Sequence, residues 1–369
     1  MCNLIALSLL ICLFQPIARP PVFDVNRIDQ LLEPIRQKNN LPSLAGAVLT
    51  SKGLVSIGAT GVRKAGTNVA VTTDDLWHLG SDTKAMTATM IGSLVERGKL
   101  KWDSTIEDVF PDLAKSFPPD FAKITLTELL CHHAGVPENI DWRSQELTGS
   151  MMEQRRKVVQ IAASMKLIAK PGAEFHYSNL GYVIAAAMAE KITGEPWEEL
   201  ITKAVFKPLG MSSVGFGGTG TPGNIDQPWP HYANGKPTEK NGPAVDNPPV
   251  MGPAGTVHCS LSDWAKFVAD QMRGQLGEHG ILKPETYIQL HTPRFGGDYA
   301  FGWGVLQRPW GGGTVYSHAG SNTVNFAVVW MAPAKDFAVL VVTNEGGEAA
   351  AKGSDEAASA LIVDYLKAK

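Results

Sequence analysis

Two strand-like pairs stand at opposite ends of this chain, and one sheet can take both in only if the two ends meet. The first is LAGAVLTSKGLVSIGATGV, residues 44–62, where two runs join at Ser51-Lys52-Gly53. The second is TVNFAVVWMAP followed by DFAVLVVTNEG, residues 323–346, rich in β-branched and aromatic side chains and split by a short Pro/Lys/Asp turn. Both read as hairpins. A helix precedes the first, with Ile28, Leu31, Leu32 and Ile35 on one face, Asp24 as its N-cap and Pro42 beyond its end. Another closes the chain, with Ala357, Ala358, Leu361, Ile362 and Tyr365 aligned. The pattern predicts an α+β fold whose antiparallel sheet is built from both chain ends and flanked by terminal helices, with a mainly helical lobe inserted. The expected division is a sheet lobe of residues 22–75 and 250–369, and a helical lobe with long loops over 76–249.

Inside the insertion, Met86, Met90, Ile91, Leu94 and Val95 form an apolar helical stripe after Lys84, stopped by Gly98. From Trp102 to Met211 the pattern stays helical, broken at Pro118-Pro119, Gly135, Pro171-Gly172 and Gly194. Residues 215–255 are dominated by Gly, Pro and Asn, which predicts a long irregular excursion of the kind that flanks a site. That run lacks the Gly-Lys-Ser/Thr ending of a phosphate loop and any apolar strand before it.

A net charge of −3 provides no basic stripe, which argues against nucleic acid as a partner. The apolar run Leu4–Phe14 is too short for a permanent membrane helix, and Pro16, Pro20 and Pro21 follow it. Residues 1–21 therefore read as a signal peptide and the protein as exported, to a periplasm or the outside, with no stable membrane span once the leader is removed. The remaining cysteines, Cys131 and Cys259, lie far apart with no C-x-x-C spacing, which fits small buried packing and leaves one disulfide open. No H-E-x-x-H or paired Cys/His set is present, so neither a metal nor another cofactor is indicated.

The chemistry begins at LGSDTKAMTATM, residues 79–90. Ser81 stands where a helix N-cap would stand, and a Ser-x-x-Lys is expected about once by chance in a chain this long. Against the cap reading, one helical turn brings Lys84 alongside Ser81, at the helix end that favours an oxyanion. A hydroxyl beside a desolvated amine is an activatable nucleophile. Downstream, Tyr177-Ser178-Asn179 falls on a turn entering an amphipathic helix; the phenol can ionise near an ammonium and shuttle protons, and Asn179 can donate its amide to a substrate carbonyl. Tyr232-Ala233-Asn234 has the same spacing, but Asn234-Gly235 is a turn signal and reads as structure. In VYSHAGSNTVNFAVVW, His318-Ala319-Gly320-Ser321 predicts an exposed strand edge. Gly320 would allow a ligand close to the backbone, and the Ser321 N–H would pair with that of Ser81 as an oxyanion hole. The second His-Ala-Gly, His133 to Gly135, precedes Val136-Pro137 and reads as a structural turn.

Taken in order, Ser81-x-x-Lys84, Tyr177-x-Asn179 and His318-x-Gly320 resemble the three motifs of the penicillin-recognising serine hydrolases: class C β-lactamases, D,D-carboxypeptidases and family VIII carboxylesterases. LVERGKLKWDSTIEDVFPDL, ITLTELLCHHAGVP, KPLGM, GPAGTVHCSLSDWAKF and YAFGWGV agree with it, so the likeness spans nearly the whole chain after the leader. The resemblance implies a β-lactamase/transpeptidase-like fold with the site between the lobes. It further implies Ser81 as acyl acceptor, Lys84 and Tyr177 as the proton-transfer pair, His318 beside them, and Asn179, Gly320 and Ser321 as substrate contacts. Where the β-lactamases usually carry Lys and Thr in the third motif, this chain has His318 and Ala319, which weakens the grip on a substrate carboxylate. G-x-S-x-G is absent, which removes the α/β-hydrolase reading.

The expected function is thus a serine hydrolase working through an acyl-enzyme on small esters, amides or D-amino-acid peptides. Two alternatives stay open: a true class C-like β-lactamase, and a non-catalytic penicillin-binding sensor that has inherited the pocket. Neither composition nor motif fixes the number of subunits.

Overall fold

The computed structural model describes residues 25–368; the expected leader and the expected Asp24 cap lie outside them. Among the described residues, nine strands form two sheets. In chain order they are β1 (Ser43–Thr50), β2 (Gly53–Gly61), β3 (Leu76–His78), β4 (Gly215–Phe216), β5 (Val257–Ser260), β6 (Gly304–Arg308), β7 (Gly313–Ser321), β8 (Phe326–Ala332) and β9 (Phe337–Thr343). The large antiparallel sheet runs β2-β1-β9-β8-β7-β6. Its seam joins the chain ends: Ala47 faces Leu340 and Val48 faces Val339 across β1 and β9.

Every residue of β9 is buried because both faces of the sheet are covered. Val339 and Val341 meet Ile28 and Leu32 of the helix Val25–Lys38 and Leu361 and Tyr365 of the helix Glu348–Ala368. On the other side Leu340 and Val342 join a core that includes Trp264 and Phe267 of the helix Leu261–Gln275. Two-sided burial explains why DFAVLVVT is a continuous apolar run instead of an alternating one.

The helix Thr83–Glu96 is the axis of the helical lobe, and Thr83 to Leu94 are all buried. It packs against the helix Asn179–Thr193 and the turns after Trp197. Arg155, buried at the heart of this lobe, donates to Glu190 at 2.6 Å and to Glu198. The small sheet β3-β5-β4 fixes the approach to the central helix, and residues 79–82 connect the two. Cys131 and Cys259 are buried free thiols.

HAGSNTVNF is a hairpin end, not one strand. β7 stops at Ser321 and β8 starts at Phe326. Nor is β7 an edge along its length, since β8 and β6 flank it. Its pairing with β6 ends at Ser317, however, so His318 to Ser321 face another element on that side. That element is the turn holding Ser81.

Candidate active site

Ser81 lies on the 3₁₀ turn Gly80–Asp82 ahead of the central helix. It is no cap: the N-cap position falls on Asp82, and no side chain there accepts a helix N–H. Instead Ser81 Oγ is 3.0 Å from Lys84 Nζ. Nζ also donates to Asn179 Oδ1 at 2.8 Å and to the Ala254 carbonyl at 2.7 Å. Lys84 is fully buried, and desolvation brings it down to about 7, although Asp82 and Glu138 pull the other way. A neutral amine has two protons for Asn179 and Ala254 and one lone pair left for the Ser81 hydroxyl.

Tyr177 shares the site: its phenol hydrogen-bonds Ser81 and its ring centre is 4.8 Å from Lys84 Nζ. It does not ionise more easily, as a neighbouring ammonium would make it. Burial pushes the phenol up, Asp82 and Glu138 add to this, and only the bond to Ser81 opposes them. Lys84 gives the phenolate little support because the same burial weakens the hold of Lys84 on its own proton.

Asn179 opens its helix behind Ser178, whose hydroxyl accepts from Gly181 N–H and donates to the Pro137 carbonyl. Its amide is already committed: Oδ1 accepts from Lys84, and Nδ2 donates to Asn139 Oδ1 at 3.1 Å. Ser81, Tyr177, Asn179 and Ser321 nonetheless line one cavity of about 600 Å³, with Arg143, Asn247 and Asn322 on its walls. The irregular 215–255 excursion supplies part of that lining.

His318 does not reach the cavity. The alternation of β7 turns Ala319 and Ser321 outward and His318 inward, where Nε2 is 3.1 Å from Tyr299 Oη. Burial, then Lys84, lowers the imidazole to about 3, so it is neutral. Gly320 also differs from expectation: what approaches its backbone is the chain itself. A Cβ there would lie 1.9 Å from the Leu79 carbonyl oxygen and 2.6 Å from Ser81 N. Gly80, at φ 51°, answers it; a Cβ on Gly80 would lie 2.3 Å from Ser321 N. The two bare backbones bring the N–H groups of Ser81 and Ser321 to one place, as an oxyanion hole requires.

Other contributors carried no local signal. His132, at φ 62°, accepts the Ser178 N–H on Nδ1 at 3.0 Å and holds the Tyr177–Asn179 turn. His78 accepts the Gly80 N–H on Nδ1 at 3.1 Å, and its Nε2 bonds Asp246 at 2.8 Å; the other Asp246 oxygen takes Asn322 Nδ2 at 2.8 Å. Asp246 thus ties the turn holding Ser81 to the end of β7. Asp246→Ala is expected to lower kcat about ten- to a hundredfold, because small misplacements at a reacting centre are that costly. Steady-state rates on a p-nitrophenyl ester check it, and an unchanged kcat would refute the brace. The Tyr232 decoy sits in a turn in which Gly235 N–H returns to the Tyr232 carbonyl.

Fold and site together define a serine hydrolase in which Ser81 and the buried Lys84 stand one helical turn apart. The chain belongs to the beta-lactamase family, whose model matches residues 28–364. It is 24% identical over 347 residues to penicillin-binding protein 4 of Amycolatopsis lactamdurans, covering 88% of this chain and 86% of that one. It is 25% identical to an unguisins hydrolase of Aspergillus campestris, over 82% of this chain but only 58% of that longer protein. In structure it resembles the octameric penicillin-binding protein homologue from Pyrococcus abyssi, with a TM-score of 0.73 and 23% identity over 93% of this chain and 78% of that one. D-alanine carboxypeptidase AmpC from Burkholderia cenocepacia gives a TM-score of 0.71 and 18% identity, over 90% and 97%. At such identities the structural likenesses speak for the fold.

Proposed function

We propose that this serine hydrolase is exported and acts through an acyl-enzyme on Ser81, with Lys84 as the base. The observation behind it is the bonding of Lys84, whose two other directions end on Asn179 Oδ1 and the Ala254 carbonyl. In the reaction the Ser81 proton passes to Lys84 as Oγ bonds to the substrate carbonyl carbon. The oxyanion rests on the N–H groups of Ser81 and Ser321. Lys84 returns its proton to the leaving group through Tyr177, which stays a neutral phenol and relays without storing charge. Water then repeats the sequence on the acyl-enzyme and releases the acid.

Small esters, amides and D-amino-acid peptides are the proposed substrates. The kinship with a penicillin-binding protein supports this range. The inward His318 and the methyl of Ala319 leave the third motif without a cation or hydroxyl in the cleft, which disfavours efficient β-lactam turnover.

The deciding experiment is intact-mass spectrometry after exposure to p-nitrophenyl esters, D-alanyl peptides and cephalosporins, followed by peptide mapping. An adduct on Ser81 from the ester or peptide group is expected; an adduct elsewhere, or none from any of the three, would overturn the reading. Because Lys84 must be neutral to act, kcat/KM on a p-nitrophenyl ester should rise with pH through a limb near the value of about 7 held by Lys84, and flatten above it. A profile flat from pH 5 to pH 9 contradicts a lysine base. Sequencing the N-terminus of the exported product tests the leader.

A further inference from the structure

The mechanism above leaves unused a buried chain of polar groups beneath the nucleophile: Ser178, His132, Tyr299, His318 and Asp82. The first link fixes the rest. His132 accepts the Ser178 N–H on Nδ1, and burial holds this ring well below the usual range and neutral, so its proton is on Nε2. Nε2 lies 3.2 Å from Tyr299 Oη and donates to it. The Tyr299 hydroxyl proton then goes to His318 Nε2 at 3.1 Å, because an imidazole nitrogen is a better acceptor than the neighbouring Tyr182 phenol oxygen, whose own proton is on the Leu130 carbonyl. With Nε2 accepting, the neutral His318 ring carries its proton on Nδ1. That atom makes no hydrogen bond of full geometry, although the Ala319 backbone also draws on the ring, and it lies 3.8 Å from Asp82 Oδ1, an unpartnered buried carboxylate oxygen.

We propose that His318 is a positioning residue whose Nδ1–H, oriented by the Ser178–His132–Tyr299 chain, favours the Asp82 carboxylate and thereby sets the basicity of Lys84. The inference rests on Lys84 as the base. Asp82 shares the nucleophile's turn and its charge is felt at Lys84. Of the other groups facing Lys84, Glu138 acts in the same sense as Asp82; His132 and His318 are neutral, and Tyr177 and Tyr182 stay protonated. Asp82 is itself disfavoured as an anion by burial, with Lys84 opposing. One proton is therefore contested between Lys84 and Asp82, and the dipole of His318 tilts the contest.

Tyr299→Phe keeps the ring and removes the hydroxyl, freeing His318 to move its proton to Nε2. The Asp82 anion then loses support, Lys84 loses its counter-charge, and the amine becomes neutral at lower pH. The acidic limb of kcat/KM on a p-nitrophenyl ester should move down by about one pH unit. Asp82→Asn should move it the same way, and Tyr299→Phe should add nothing in the Asp82→Asn background. Nitrogen NMR of ¹⁵N-histidine-labelled wild-type protein supplies a readout free of activity, with His318 expected protonated at Nδ1 and His132 at Nε2. A limb unmoved in Tyr299→Phe, or a His318 proton found on Nε2, overturns the proposal, since a merely structural tyrosine lowers rate or melting temperature without moving the limb. Lys84→Met separates the two levels: persistent acylation in that variant defeats the lysine base itself, whereas its loss beside an unmoved Tyr299→Phe limb defeats only the relay.

Discussion

Ser81→Ala is expected to abolish covalent labelling by a fluorophosphonate or a fluorescent penicillin and to lower turnover by about 10⁴-fold or more, while the fold survives. The survival follows from the packing. Ser81 is only partly exposed to the cavity and its hydroxyl supports no helix end, so its loss removes a partner of Lys84 and Tyr177 and nothing else. The buried amine keeps Asn179 and Ala254. Melting temperature should therefore stay within a few degrees of the wild type, because deleting one hydrogen bond of this kind costs about 1 kcal/mol. Gel fluorescence with intact mass reads the labelling and calorimetry the stability. Labelling that persists in the alanine variant removes Ser81 as nucleophile, and with it the roles assigned to Lys84 and the two N–H donors.

Local sequence revealed those parts of the molecule that depend on neighbours in the chain. Ser81 and Lys84 are one turn apart, Tyr177 and Asn179 flank one helix start, and each hairpin closes over a short turn. The meeting of chain ends followed from counting strands that needed partners. Other features depended on facts no short window holds. The direction of His318 is a matter of parity: β7 alternates, and which half faces the cleft depends on Gly80 docking against Gly320, far away in the chain. His78 meets Asp246 across 168 residues, and His132 meets Tyr299 across 167. The phenol of Tyr177 departs from its sequence expectation for a related reason. Residue types give charges at their solution values, whereas burial, which only the fold decides, brings Lys84 down to about 7 and holds the Tyr177 proton in place.

Neutrality of the buried groups is a condition of the proposed chemistry. A charged Lys84 has three protons and no lone pair, so it can hold Ser81 but cannot deprotonate it. A Tyr177 phenolate would trap the proton needed by the leaving group. Burial disfavours both charged forms at once, and Asp82 and Glu138 keep the amine from falling too low to accept a proton. The helical lobe performs this desolvation by enclosing the central helix through Leu94.

Gly320→Ala is the variant in which one methyl group should do most damage to the oxyanion hole. The added carbon would sit 1.9 Å from the Leu79 carbonyl oxygen, 2.6 Å from Ser81 N and 2.9 Å from Asp82 N. All three are backbone atoms, so no side chain can swing aside. The end of β7 or the Gly80–Asp82 turn must withdraw by an ångström or more, and β8 holds Gly320 in register against Ala327 from the other side. Overpacking of this kind costs about 1–3 kcal/mol of stability. Separation of the Ser81 and Ser321 N–H groups costs on the order of 10²–10³ in kcat, the toll of one lost oxyanion donor. Ser81, Lys84 and Tyr177 lie on elements outside the β7 ladder, so slow labelling by a fluorophosphonate should persist while ester turnover collapses. A Gly320→Ala protein with wild-type kcat would mean that the β7 end and the nucleophile turn have slack between them, and that the hole is built from other donors.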